Sequence, residues 1–146
     1  MGKYNNRKTI IDNIKFDSNA EATRYQFLKI LLKTGKIEDL ELQPKFLLQP
    51  SFKKNGKTIR AINYIADFKY IQDKKIVIED VKGMETKEFK IKKKLFEYKY
   101  PDLELRLIKW KDVETVNGNL MKRFVTNGFL TVEYVINGKN ETEKWS

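Results

Sequence analysis

The chain has 146 residues and a formal net charge of +10, and it contains neither histidine nor cysteine. This length predicts one domain with a real core, and the composition excludes disulfides, zinc fingers, thiol nucleophiles and histidine bases. A bound metal would need oxygen ligands, which favours Mg²⁺ or Mn²⁺ and leaves Ca²⁺ open.

The positive charge is unevenly distributed along the chain. Residues 110–146 carry five basic and five acidic side chains, so residues 1–109 hold the whole excess. This imbalance favours a polyanionic partner, usually nucleic acid, and a lysine-rich solubilising surface is the alternative. With no signal-peptide pattern and no apolar run near the roughly 20 residues that span a bilayer, we expect a cytoplasmic protein without a membrane partner.

The first half of the chain predicts one helix among short extended segments. Residues 8–16 fit a short strand or an ordered arm. The segment 17–35 predicts a helix, because Ser18 can cap it, Glu21 follows at capping-box spacing and Gly35 can end it. Two short strands broken by prolines and one hairpin turn follow, at 37–42, 45–48 and Asn55-Gly56.

The second half predicts two long strands, a second helix and a final strand, at 58–71, 75–82, 86–101 and 103–108. Ile91, Leu95 and Tyr98 have helical spacing and are expected to face the core. Asn-Gly pairs then recur every ten residues, at 117, 127 and 137, which is typical of a β-meander. We therefore predict an α/β core over 8–110, with a mixed sheet flanked by helices, and a small antiparallel β appendage over 111–146. The appendage could extend the main sheet, cover an edge or form a dimer contact.

Two acids interrupt the apolar strands at 58–71 and 75–82. If Asp73-Lys74 forms the hairpin tip, paired residue numbers sum to 147 and Asp67 lies opposite Asp80. Opposed carboxylates among isoleucines and valines repel unless something neutralises them, and a divalent cation would do so. Strand alternation puts Lys82 on the face of Asp80, where an amine could orient or deprotonate a water or stabilise charge on a phosphate. The alternative is a surface hairpin with ordinary charged residues.

Two further polar residues are candidates for the same site. Glu21 aligns with inward-facing positions of its helix, so it could bind a metal-coordinated water or a second metal. Its alternative role is capping with Ser18. Gln43, before Pro44, is either a turn-flanking residue or a side chain that reaches the site.

These residues resemble a known enzyme superfamily. "IAD" at 65–67, twelve intervening residues and "DVK" at 80–82 resemble the D…(D/E)xK core of PD-(D/E)xK nucleases, with Ala66 at the variable position that is nominally proline. More narrowly, five segments in 8–108 resemble a family of small phage-encoded proteins with suggested Holliday-junction-resolvase-like activity: "FDSNAEATRYQFL", "LQPKF", "YIADFKY", "EDVKG" and "KLFEYKYPDL". The resemblance implies a restriction-endonuclease-like fold, metal binding by Asp67 and Asp80, a catalytic Lys82 and a helix acid at Glu21.

Two groups of basic residues are candidates for phosphate contacts. The group after Lys82 comprises Lys87, Lys90, Lys93 and Lys94, of which the last three are expected to project outward. The group near the Asn-Gly turn comprises Lys53, Lys54, Lys57 and Arg60. Such lysines could bind DNA without reading its sequence, and a solvated surface is the alternative for both groups.

The sequence therefore predicts a Mg²⁺- or Mn²⁺-dependent DNA endonuclease, selective for branched structures in the manner of a junction resolvase. A phage-encoded enzyme of this kind would act in the bacterial host cell, and a resolvase would be a two-fold dimer. Two alternatives stay open. One is a nuclease of other specificity, such as a nickase, exonuclease or restriction-like enzyme. The other is a non-catalytic nucleic-acid-binding recombination accessory protein.

Overall fold

The fold is taken from a computed structural model that describes residues 9–114, 117–126 and 129–130. Within these ranges the helices are α1 (Asn19–Lys33) and α2 (Lys87–Lys99). The strands, in chain order, are β1 (Thr9–Ile11), β2 (Ile14–Phe16), β3 (Glu38–Leu42), β4 (Lys45–Gln49), β5 (Phe52–Lys54), β6 (Lys57–Ile59), β7 (Ile62–Ile65), β8 (Phe68–Gln72), β9 (Lys75–Val81), β10 (Glu104–Glu114), β11 (Leu120–Thr126) and β12 (Phe129–Leu130).

The main sheet is mixed and lies between the two helices. Its strand order is β12-β11-β10-β9-β8-β3, in which β9 and β10 are parallel and the other neighbouring strands are antiparallel. Successive residues of β9 point to opposite faces, so Val77 joins the apolar core under α1 and Ile78 joins the core under α2. The predicted mixed α/β architecture is therefore confirmed, and β9 is a buried central strand.

Helix α1 begins and ends close to the residues that its sequence predicts. The Ser18 side chain accepts a hydrogen bond from the Glu21 backbone N–H at 3.2 Å, and Gly35 after the helix has a φ of +74°. The inward face buries Tyr25 and Leu28 against the sheet. Before α1, residues 9–16 form the β1–β2 hairpin, which Tyr25 contacts through a 2.9 Å hydrogen bond to Asp12.

The predicted single strand 58–71 is wrong, because the chain forms three strands there. β3, β4 and β5 pair in turn with β8, β7 and β6, which makes one long antiparallel hairpin ending at Asn55-Gly56. The hairpin leaves the main sheet where Gln43 N–H bonds the Asp67 carbonyl and Ala66 N–H bonds the Pro44 carbonyl, at 2.9 and 3.1 Å. The positive φ of Gln43 and the missing N–H of Pro44 break the strand at this level.

The predicted core face of the second helix is also wrong. Ile91, Leu95 and Tyr98 are exposed, with Tyr98 at 87%, whereas α2 buries Phe89 and Phe96. The two phenylalanines lie seven residues apart on the face toward the sheet, where they join Phe46 and Tyr64 in the core. Among the helices described, none has the length and apolar character that crossing a bilayer requires.

The C-terminal strands extend the main sheet. β10 runs through the predicted boundary at residue 110, and β11 and β12 pair with it in succession. Gly118 has the positive φ that its Asn-Gly turn predicts. The predicted turns at 127 and 137 include residues that the structure does not describe, and the division into core and appendage stays a prediction.

A buried ion pair joins α1 to β9. Arg24 donates from Nε and Nη2 to the two carboxylate oxygens of Glu79, at 2.7 and 2.6 Å, and the Tyr70 hydroxyl donates to the same carboxylate. Arg24 is 3% exposed and Glu79 is fully buried. Removing one partner of such a pair leaves an uncompensated charge in the core.

We predict that Glu79→Gln lowers the free energy of unfolding by about 3–5 kcal/mol, because Arg24 then lies buried without its counter-charge. The matched control is Glu41→Gln, which removes the exposed ion pair to Lys69 at 3.6 Å and should change stability by less than about 1 kcal/mol. Urea denaturation of both variants measures the difference. An equal loss of unfolding free energy in the two variants would contradict the larger contribution that we expect from the buried ion pair.

Candidate active site

The predicted hairpin register is confirmed and brings the two aspartates together. β8 and β9 pair from Phe68 opposite Glu79 to Gln72 opposite Lys75, so the paired numbers sum to 147. Asp67 lies one residue before β8, and its N–H bonds the Glu79 carbonyl at 3.0 Å. Its carboxylate accepts a hydrogen bond from the Val81 N–H at 2.7 Å. Asp67 and Asp80 therefore lie side by side, although Asp67 stands at a bend rather than inside a strand.

The two carboxylates share a largely buried and electrostatically unfavourable position. Asp80 is only 2% exposed, and Asp67 is partly buried beside it. Burial first, and then the negative charges of Asp80 and Glu21, raise the pKa of Asp67 to about 9. At neutral pH the pair therefore holds a proton unless a cation takes its place.

Asp80 has two further partners that fix its position. The buried Tyr64 hydroxyl donates to one carboxylate oxygen of Asp80, and Lys82 Nζ lies 3.5 Å from the other. Burial, followed by the charge of Asp80, raises the pKa of Tyr64, so this hydroxyl stays a hydrogen-bond donor. Lys82 Nζ also lies over the Phe89 ring at 4.6 Å from its centroid, which holds the ammonium between the ring and Asp80.

Sequence reasoning missed both Tyr64 and Phe89. Tyr64 was hidden because its strand pairs with β4, so the register of β8 and β9 says nothing about it. Phe89 comes from the inward face of α2, for which the helical spacing predicts Ile91, Leu95 and Tyr98 instead. The sequence carries no local signal for Tyr64, because strand alternation would put a residue three positions before Asp67 on the opposite face.

Glu21 and Gln43 lie beside this pair. Together with Asp67 they line a cleft of about 120 Å³, whose other walls are Ile14, Lys15, Phe16, Leu42 and Phe68. Burial, then Asp17 and Asp80, raise the pKa of Glu21, while Lys82 lowers it. Ser18 caps the helix as predicted, by accepting a hydrogen bond from the Glu21 backbone N–H, while Glu21 itself lines the cleft.

The residues present fit a hard divalent cation held by two carboxylates. Within the described ranges, no group of three or more His, Cys, Asp or Glu side chains is arranged to hold a metal ion. A direct role for Glu21 as a metal ligand stays a prediction. Mg²⁺ is commonly held by one or two carboxylates and keeps several waters. Asp67 and Asp80 supply such a pair, and Glu21 lines the cleft beside Asp67, close enough for its charge to act on that carboxyl.

The two groups of basic residues differ in their surroundings. In the α2 group, Lys87, Lys90 and Lys94 are exposed, but Lys93 is partly buried and pairs with Glu97 at 2.7 Å. In the hairpin group all four side chains, Lys53, Lys54, Lys57 and Arg60, are exposed. Among the described residues, neither group forms an ion pair with Asp67 or Asp80, whereas Lys82 does so with Asp80.

The raised pKa of Asp67 predicts a pH-dependent stability in metal-free protein. The folded state binds a proton at Asp67 up to about pH 9, whereas the unfolded carboxyl releases it near pH 3.8. The contribution of Asp67 to the free energy of unfolding is therefore complete below pH 3.8. It is lost as the pH rises toward 9, by at most about 1.4 kcal/mol per pH unit. Asp67→Asn should remove this slope, and urea denaturation in EDTA from pH 5 to 9 measures it. If the free energy of unfolding changed with pH in the same way in wild type and in Asp67→Asn, the raised pKa of Asp67 would not be the cause of the change.

Comparison with known proteins identifies the family of the chain. No curated protein and no solved structure matches it. Residues 1–114 match a family model described as "Protein of unknown function (DUF1064)". This range contains every residue of the candidate site, from Glu21 to Phe89. Since the match covers most of the sequence, the chain belongs to this family.

Proposed function

We propose that this chain is a metal-dependent DNA endonuclease with a restriction-endonuclease-like fold. The observation that carries the proposal is the pair of carboxylates, the half-buried Asp67 and the buried Asp80, held side by side with Lys82 Nζ 3.5 Å from Asp80. Repulsion within such a pair makes it a strong binding site for a divalent cation. The resemblance of residues 8–108 to PD-(D/E)xK nucleases supports the same assignment.

The proposed reaction is hydrolysis of a phosphodiester bond. A water oxygen joins the phosphorus, one P–O ester bond breaks, and the departing oxygen takes up a proton. A divalent cation, when bound, supplies Lewis-acid polarisation of the phosphate and activation of the water. Asp67 and Asp80 contribute its ligand oxygens, and Glu21 orients a water in the cleft.

Lys82 has the position of the catalytic amine in this proposal. Its Nζ lies between the Asp80 carboxylate and the Phe89 ring, and its side chain is about 29% exposed. A phosphate approaching the acids can therefore reach the ammonium, which stabilises the negative charge that develops on the phosphate oxygens. The same nitrogen, when neutral, can accept a proton from the attacking water.

DNA is the proposed substrate, with branched DNA preferred. The net charge of +10 and the two exposed basic groups support binding to a polyanion. A two-fold dimer belongs to the resolvase form of the proposal, because two symmetrical cuts need two sites. Cleavage of a four-way junction, a flap, single strands and duplex separates this substrate from those of a nickase, exonuclease or restriction-like enzyme.

We predict that Asp80→Asn and Lys82→Ala each lower the Mg²⁺-dependent cleavage rate by at least about 100-fold, because each removes a group at the reacting phosphate. The matched controls are Asp73→Asn and Lys75→Ala, which make the same changes at the exposed tip of the β8–β9 hairpin. The controls should cleave at the wild-type rate. Wild-type DNA binding without metal-dependent cleavage would instead identify a non-catalytic binding protein.

We also predict that Tyr64→Phe raises the Mg²⁺ concentration for half-maximal cleavage about tenfold. Without the hydroxyl, the buried Asp80 carboxylate loses a charge-assisted hydrogen bond worth about 1.5–3 kcal/mol and is held less firmly. Tyr98→Phe removes a hydroxyl from a tyrosine that is 87% exposed and serves as the control. An unchanged Mg²⁺ dependence in Tyr64→Phe would show that this contact does not position the acid.

A further inference from the structure

The long hairpin that begins at the candidate site ends in a two-stranded ribbon that pairs with no other strand among the described residues. β5 and β6 form a separate two-stranded sheet, with Phe52 opposite Ile59 and Lys54 opposite Lys57. Every residue from 49 to 60 is exposed. We call residues 52–59 the tip ribbon. Such a ribbon contributes little to the core, so its composition is free to serve binding.

The charge of the tip ribbon and its flanks has one sign. No acidic residue occurs between Leu42 and Ala66, whereas this stretch contains five basic ones: Lys45, Lys53, Lys54, Lys57 and Arg60. In the part of the chain that the structure describes, no ion pair with a carboxylate is formed by the four basic residues in or next to the tip ribbon, Lys53, Lys54, Lys57 and Arg60. A polyanion is the complementary partner.

One face of the tip ribbon combines these charges with apolar groups. Opposed residues of a ladder share a face and residues two apart return to it, so Phe52, Ile59, Lys54 and Lys57 lie on the same side. Phe52 is 44% exposed and Ile59 is 40% exposed. Binding to an intact duplex, which presents its phosphates, would need only the lysines. An exposed aromatic ring beside them is suited to bases that are not stacked in a helix.

The tip ribbon also lies within reach of DNA bound at the acids. Lys45 pairs with Ile65 two residues from Asp67, and Phe52 follows Lys45 by seven residues. At about 3.3 Å per residue, this part of the hairpin spans at most ~23 Å. That length corresponds to roughly seven nucleotides of a stacked strand at about 3.4 Å each.

We propose that the tip ribbon binds unpaired or unstacked nucleotides, with Phe52 stacking on a base and the lysines contacting phosphates, and so directs the enzyme to branched or single-stranded DNA. This inference rests on the proposed function, because it takes DNA as the substrate. It adds the element that selects among DNA structures. In this arrangement the site at Asp67 and Asp80 cleaves the DNA strand, and the tip ribbon binds nucleotides that lie several positions from the cleaved bond.

The test measures binding without cleavage, in EDTA and in the Asp80→Asn background. Fluorescence anisotropy compares a four-way junction, a single strand and a continuous duplex of equal length. Phe52→Ala should weaken binding to the single strand and the junction about tenfold and leave duplex binding within about twofold. Phe52→Trp should restore binding, and Tyr98→Ala, at another exposed aromatic, should have no selective effect.

A second variant tests the charges of the tip ribbon. Replacing Lys53, Lys54 and Lys57 by alanine should reduce the salt dependence of single-strand binding by about two in the slope of log K against log salt. Removal of Lys74 and Lys75, at the other exposed hairpin tip, is the control and should leave the slope almost unchanged. Circular dichroism checks that all variants fold.

The outcomes distinguish the inference from the proposed function. If wild type cleaves DNA but Phe52→Ala binds all three DNAs as wild type does, or weakens all three equally, the inference is overturned and the nuclease proposal stands. If wild type binds selectively through Phe52 but never cleaves with Mg²⁺ or Mn²⁺, the nuclease proposal fails and the tip ribbon remains a DNA-binding element. Absence of DNA binding overturns both.

Discussion

The candidate site depends on two carboxylates that are held together where water cannot separate their charges. Asp67 is fixed by the backbone of β9, through its own N–H and through the Val81 N–H that its side chain accepts. Asp80 is fixed by Tyr64 and Lys82. Neither aspartate can turn away to relieve the repulsion without losing hydrogen bonds. The site therefore favours a proton or a divalent cation, and the cation is what a phosphodiesterase needs.

The two faces of β9 serve this arrangement in different ways. Glu79 points toward α1 and is held by two hydrogen bonds from Arg24, whereas Asp80 points the other way and has Lys82 at the longer distance of 3.5 Å as its ionic partner. Arg24 follows Glu21 by three residues on the same helix. The buried ion pair that stabilises the fold thus also sets the position of Glu21 relative to Asp80. Stability and site geometry are coupled through a single strand.

Local signals in the sequence were sufficient for part of this arrangement. The tip at Asp73-Lys74 fixed the register, and strand alternation then placed Asp67, Asp80 and Lys82 correctly. The break after Tyr64 could not be predicted, because it depends on where Gln43 and Pro44 fall in the partner strand. The inward face of α2 was assigned wrongly because Ile91 and Leu95 have the spacing of a core stripe, yet Phe89 and Phe96 fill the space beside Tyr64. Both errors concern tertiary partners that no local pattern specifies.

For the proposed nuclease, the long hairpin gives a physical reason why cleavage and DNA recognition can lie in separate parts of so small a protein. Its base lies in the main sheet, where the ladder and the core hold Asp67 in place. Its outer part has no core contacts to maintain, so lysines and an exposed aromatic ring carry no folding cost there. Since the two parts belong to one hairpin, a nucleotide bound at the tip ribbon in the proposed complex would lie no farther from the acids than the length of that hairpin. Under the proposed function, a substitution in the tip ribbon would then change the preferred DNA structure while the pair of carboxylates stays unchanged.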